Sequence, residues 1–70
     1  MVKRIKIKTE YITLGQFLKF QNIIESGAQA KVFLLENKVI VNGEEENRRG
    51  RKLYPGYVVV VLGEEYNVEN

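Results

Sequence analysis

The 70-residue chain has no cysteine, no histidine and no aspartate, and its single serine is Ser26. Without cysteine or histidine, neither a disulfide nor a metal held by the usual ligands can staple so short a fold. Packing alone must hold it, and a 44% share of hydrophobic residues is enough for one small core. The same absences remove most catalytic chemistry. All nine acids are glutamates, many in runs with an exposed look, away from the apolar surroundings that tune a catalytic pKa. A metal site built from glutamate alone fits no hydrolytic zinc pattern. The expectation is a chain that is not an enzyme and uses no cofactor, no metal and no small-molecule substrate.

Long apolar runs are missing too. The longest, Val58 to Leu62, is strand length, well short of the ~20 residues that span a bilayer. Lys3 and Arg4 near the start are not followed by the apolar segment of a signal peptide. This predicts a soluble, cytoplasmic protein of one domain, residues 1–70, with no membrane partner.

Net charge is only +2, but it is unevenly spread. Residues 1–52 carry all 11 Lys and Arg against six Glu, a balance of +5, while residues 53–70 carry three Glu and no base, a balance of −3. Such asymmetry hints at a side that faces a polyanion.

In chain order, residues 2–8 alternate, Ile5 and Ile7 against Arg4, Lys6 and Lys8. Period two makes this a strand with one apolar and one basic face. Its cations are either a comb facing phosphate or the lysine guard of an edge strand. Thr13-x-x-Gln16 is a capping box opening a helix with Leu14, Phe17 and Leu18 on its buried stripe, ending near Gln21 or Asn22. Ser26-x-x-Gln29 repeats the pattern and predicts a second helix with Ala30, Phe33 and Leu34 inward, leaving through a left-handed Asn37. Ile23 and Ile24 between the helices are core candidates. The first turn of the second helix offers free amides and small residues (Ser26, Gly27, Ala28), a seat for an anion that Lys31 can also reach.

Val39 and Val41 belong to a short strand, and Asn42-Gly43 is a type I′ hairpin turn. Glu44 to Glu46 are either a solvated turn or counter-charges for the arginines that follow. Arg48, Arg49, Arg51 and Lys52 then put four cations in five residues, with Gly50 as a bend between them. Arginine pairs phosphate in bidentate fashion and stacks on bases, so this least ordinary feature of the chain is either a phosphate-binding cluster or a flexible charged loop. Tyr54-Pro55-Gly56 predicts a turn, Tyr57 to Leu62 a strand that Gly63 stops, and Glu64 to Asn70 an acidic, frayed tail.

Four motifs in order, Leu14-Gly15-Gln16-Phe17-Leu18-Lys19, Ser26-Gly27-Ala28-Gln29-Ala30-Lys31, Val39-x-Val41-Asn42-Gly43 and Arg48-Arg49-Gly50-Arg51-Lys52-Leu53-x-x-Gly56, resemble the alpha-L RNA-binding domain named after ribosomal protein S-four. The resemblance covers about residues 12–62 and is closest to the stand-alone bacterial, YaaA-like branch. It implies an α+β fold, two short helices packed on a small, mostly antiparallel sheet. It also implies an RNA-facing surface at the start of the second helix and the basic turn. Carried onto this chain, that surface is Ser26, Gly27, Gln29, Lys31, Arg48, Arg49, Arg51 and Lys52, with Asn42 and Gly43 structural. Two positions depart from the family pattern: Gly27 stands where many members have arginine, and Tyr57 where they usually have aspartate.

Two functions compete. The first is docking of the basic face on structured RNA, ribosomal RNA above all, through phosphates, in ribosome assembly or translation. The alternative is a protein-interaction module whose apolar patch combines Val58–Leu62 with Tyr11, Phe20 and Tyr57. Double-stranded DNA is disfavoured by the scarcity of base-reading side chains on the second helix.

Overall fold

A computed structural model describes residues 2–70. Nine elements follow in order: β1 (Val2–Lys6), β2 (Ile12–Thr13), α1 (Leu14–Phe20), α2 (Ala28–Glu36), β3 (Val39–Val41), β4 (Glu44–Glu45), β5 (Lys52–Leu53), β6 (Val58–Val61) and β7 (Glu64–Glu69). The main sheet has the order β1-β7-β6-β3-β4, parallel between β1 and β7 and antiparallel elsewhere. A second, two-stranded sheet joins β2 to β5, pairing Ile12 with Leu53 and Thr13 with Lys52. Two helices on a mostly antiparallel sheet is the α+β architecture expected. Among the described residues no helix is long and apolar enough to cross a membrane.

Alternation sets the buried face. Val39, Val41, Val59, Val61, Tyr66 and Val68 are buried, as are Leu14, Phe17 and Leu18 of α1 and Ala30 and Leu34 of α2. Phe17 meets the Tyr66 ring edge-on at 5.0 Å, so α1 rests on β7. Ile24 is buried, and Ile23 and Phe33 pack against the core from half-buried positions.

The local signals fared unequally. The Thr13–Gln16 capping box forms in both directions. Asn42 and Gly43 adopt φ of 52° and 84° in the β3–β4 turn, and the Asn42 side-chain oxygen accepts the Val58 amide at 2.9 Å. The Tyr54 carbonyl accepts the Tyr57 amide at 3.0 Å across Pro55 and Gly56, the latter at φ 94°.

Ser26, by contrast, does not cap α2. Gly27 is the N-cap and is already helical, at φ −61° and ψ −28°, with no side-chain cap. The Gln29 and Ala30 amides bond the Ser26 and Gly27 carbonyls, which leaves the Ser26 hydroxyl one residue too early. Only the reverse half of the box survives: Gln29 Oε1 accepts the amides of Glu25 and Ser26. Asn37 is extended (φ −132°), not left-handed. Its amide and its side-chain nitrogen both donate to the Phe33 carbonyl, ending the helix while the backbone runs on into β3. The left-handed exit belongs to Asn22, at φ 58°, after α1.

The largest correction concerns the C-terminus. Glu64–Glu69 is no frayed tail but a strand paired on both sides, with β1 and β6. Leu62 and Gly63, at φ 51° and 77°, form the hairpin turn that leads into it. A leucine in that conformation is uncommon, so the turn leaves no ordinary sequence signal.

This placement also redraws the charge map. Acidic β7 lies beside basic β1: Arg4 meets Glu69 at 3.5 Å, and Lys3 lies over the Tyr66 ring at 5.6 Å. The lysines of β1 guard the sheet's edge, the structural one of the two readings. β6 is an interior strand with Val59 and Val61 buried and Val58 and Val60 half-buried, so two valines of this run are spent on the core.

Candidate nucleic-acid interface

The basic turn is fixed from three directions. Its backbone docks on the start of α1, where the Leu14 and Gly15 amides donate to the Arg51 and Arg49 carbonyls, each at 2.8 Å. These are two of the orphan donors that any helix start must satisfy. The turn closes on itself through the Arg51 amide and the Arg48 carbonyl at 3.2 Å. Beneath it lies Glu46, only 6% exposed.

Glu46 is the residue the sequence underrated. Its carboxylate takes Arg48 in bidentate fashion, at 2.9 Å from Nε and 3.2 Å from Nη2, and accepts the Arg48 amide at 3.1 Å. Arg51 Nη1 adds a fourth bond at 2.8 Å. The Arg48 hydrogen bonds, followed by the Arg51 bond, lower its pKa from 4.5 to about 2, against burial, which pushes the other way. Glu46 in turn raises the pKa of both arginines. Of the three consecutive glutamates, only this one is a counter-charge; Glu44 and Glu45 are exposed on β4. The Arg48 side chain stays 71% exposed and Arg51 27%, so the carboxylate orients Arg48 without hiding it.

Arg49 behaves differently. It has no carboxylate partner among the described residues. Its Nη1 reaches across to the Gly27 carbonyl at 3.2 Å, joining the basic turn to the mouth of α2. There the Gly27 and Ala28 amides have no protein acceptor among the described residues. A guanidinium and the positive end of a helix thus converge without a protein anion between them, an arrangement that favours a bound anion.

Ser26, Gly27, Gln29 and Lys31 are all exposed in this neighbourhood. The Gln29 carbonyl oxygen is spent on the chain just before the helix, which assigns it a local structural role. Lys52 lies over the Tyr11 ring at 5.0 Å from its centroid. Among the described residues no group of three potential metal-binding side chains comes together.

Gly15 is a second residue the sequence did not single out. A Cβ there would lie 3.4 Å from the Arg49 carbonyl oxygen, 3.5 Å from Arg49 Cβ and 3.8 Å from Ala30 Cβ. α1, α2 and the basic turn all meet at this point. Alanine fits at ordinary contact distance, but a branched side chain does not. Gly15→Val is expected to push the turn off α1 and cost about 1–3 kcal/mol in thermal unfolding, with Gly15→Ala close to wild type.

The family model described as "S4 domain" matches residues 5–69. The chain belongs to the S4 domain family. The match extends beyond residues 12–62 at both ends and takes in all of β7, consistent with that strand's place inside the sheet. The chain is 59% identical over 63 residues to the "Probable ribosome maturation protein RlbA" of Bacillus subtilis (strain 168), covering 90% of this chain and 89% of that protein. It is 36% identical over 61 residues to the "Putative RNA-binding protein YbcJ" of Escherichia coli (strain K12), covering 87% of each. This S4 domain therefore spans nearly the whole length of both relatives.

Proposed function

We propose that this S4 domain docks on structured RNA, specifically ribosomal RNA during ribosome maturation, by holding backbone phosphates between the start of α2 and the basic turn. The observation that carries this reading is Arg49, a guanidinium with no carboxylate partner among the described residues, anchored on the Gly27 carbonyl at the open end of α2. Arg48 is pre-aimed by Glu46, and Lys31 and Lys52 add exposed positive charge. Arg49 also offers charge beside Gly27, where many family members carry arginine. Family membership and the names of the two relatives point the same way, toward RNA and toward the ribosome. The role is binding rather than catalysis.

Phosphate contacts of this kind make affinity depend on salt and only weakly on sequence. The informative variant combines Lys31→Ala, Arg49→Ala and Lys52→Ala, because it leaves Arg48 and Arg51 to pair with Glu46. Anisotropy titrations against a ribosomal-RNA hairpin at rising salt should show weaker binding, with the log–log salt slope reduced by about 2–3. A folded triple variant that keeps both the affinity and the slope of wild type overturns the assignment. The ribosomal part has its own test, crosslinking in cells followed by sequencing of the attached RNA. Reads dominated by messenger or transfer RNA would sink it.

A further inference from the structure

A cleft of about 410 Å³ lies beside the phosphate-facing cations, lined by Arg48, Gly50, Arg51, Lys52, Tyr54 and Tyr57. We propose that this cleft receives an unpaired nucleobase, so that the S4 domain prefers RNA helices interrupted by a bulged nucleotide over continuous ones. The proposal rests on the RNA-binding reading and adds to it a selectivity that phosphate contacts cannot supply.

Three half-buried tyrosines form a row here. The Tyr11 and Tyr54 ring centroids are 5.5 Å apart and those of Tyr54 and Tyr57 are 5.7 Å apart, with planes tilted by 48° and 60°. At such angles none of the rings forms a parallel stack with its neighbour. Cations border both ends: Arg51 lies 5.8 Å from the Tyr57 ring centre, and Lys52 is over Tyr11. Aromatic faces interleaved with cations are the surface on which a splayed-out base stacks while its phosphate is neutralised.

The aromatic pair is also held in place. Tyr54 and Tyr57 flank the Pro55-Gly56 turn, whose Gly56 amide donates to the Val68 carbonyl at 2.8 Å, and the Tyr57 carbonyl accepts the Val68 amide at 2.9 Å. β7 thus fixes the turn, and little ordering is left to be lost on binding. The opposite wall is open at Gly50, where a Cβ would meet nothing within 4 Å. The volume lies near the lower end of the ~300–1,000 Å³ typical of small-ligand sites, which suits one nucleotide and not a duplex. An apolar peptide would bring no anion to the exposed Arg48 and Lys52 at the rim. Tyr57, one of the two positions where the chain departs from the family pattern, forms one side of this cleft.

The experiment compares two RNA hairpins that differ only in one bulged adenosine within the stem. Wild type should bind the bulged hairpin about tenfold more tightly, from a stacking contribution of this size per base. Tyr54 and Tyr57 ring resonances should shift with the bulged hairpin and not with the paired one. Tyr57→Leu should lose most of the preference while keeping its affinity for the paired hairpin, and Tyr57→Phe should retain the preference. If wild type binds both hairpins equally, with a normal salt slope, base capture is wrong and phosphate docking stands. If it binds neither in a salt-dependent way, both readings fall. Because the decisive comparison uses wild-type protein, a variant that failed to fold would not protect the proposal.

Discussion

A chain ending at Gly63 is expected not to fold. Removing residues 64–70 strips β7 from between β1 and β6, cutting two ladders at once and detaching β1 from the sheet. It also deletes Tyr66 and Val68, both buried, and takes away the ring on which Phe17 packs. Losing a single large core side chain typically costs about 2–5 kcal/mol. A domain of this size has a total stability of only about 4–10 kcal/mol. Two core residues and two strand pairings exceed that reserve. Circular dichroism and an amide correlation spectrum of residues 1–63 should show a collapsed, undispersed chain, whereas removal of Asn70 alone, exposed beyond β7, should change little. A dispersed, cooperative 1–63 fragment would mean that the sheet's centre lies elsewhere.

Replacing Glu46 by glutamine is expected to be the most damaging single change near the candidate interface. The side chain keeps its shape but loses the charge that holds Arg48 and Arg51. A carboxyl lowered from 4.5 to about 2 on folding contributes up to roughly 3 kcal/mol at neutral pH. Solvent around the exposed Arg48 screens part of this, so a loss of about 2 kcal/mol is expected. The pH dependence follows from the direction of the shift. Below 4.5 the unfolded chain takes up the Glu46 proton while the folded protein still resists it, so stability drains away as pH falls from 4.5 toward 2. Above that window the contribution is complete and constant. Thermal unfolding of wild type should therefore fall more steeply across pH 4.5 to 2 than that of Glu46→Gln. Parallel curves for the two proteins would show that folding does not lower the Glu46 pKa.

Both effects concern places where local sequence gave a poor account of itself. Tyr66 and Val68 do alternate with Glu65, Asn67 and Glu69, but the acidic composition resembled a solvated tail and Leu62-Gly63 is an unusual turn. The strand became visible only through the two neighbours that pair with it. Glu46 looked the same as Glu44 and Glu45 in sequence. What separates it is its position just past the end of β4, where its amide bonds the Val39 carbonyl and its side chain lies beneath the turn. Charge asymmetry along the chain left open which charges become neighbours, since pairing sets acidic β7 beside basic β1.

Local patterns along the chain were enough to place the helices, the first capping box, the Asn42-Gly43 and Pro55-Gly56 turns, the inward valines and the family. These follow from interactions within a few residues, where spacing and side-chain chemistry decide the outcome. It took the folded arrangement to bring Arg49 to Gly27, to bury Glu46 under two arginines, to set Gly15 at a three-way contact and to line up Tyr11, Tyr54 and Tyr57. Each of those joins residues from separate elements, so it depends on how the sheet is ordered and closed, which a pattern of neighbours along the chain does not contain.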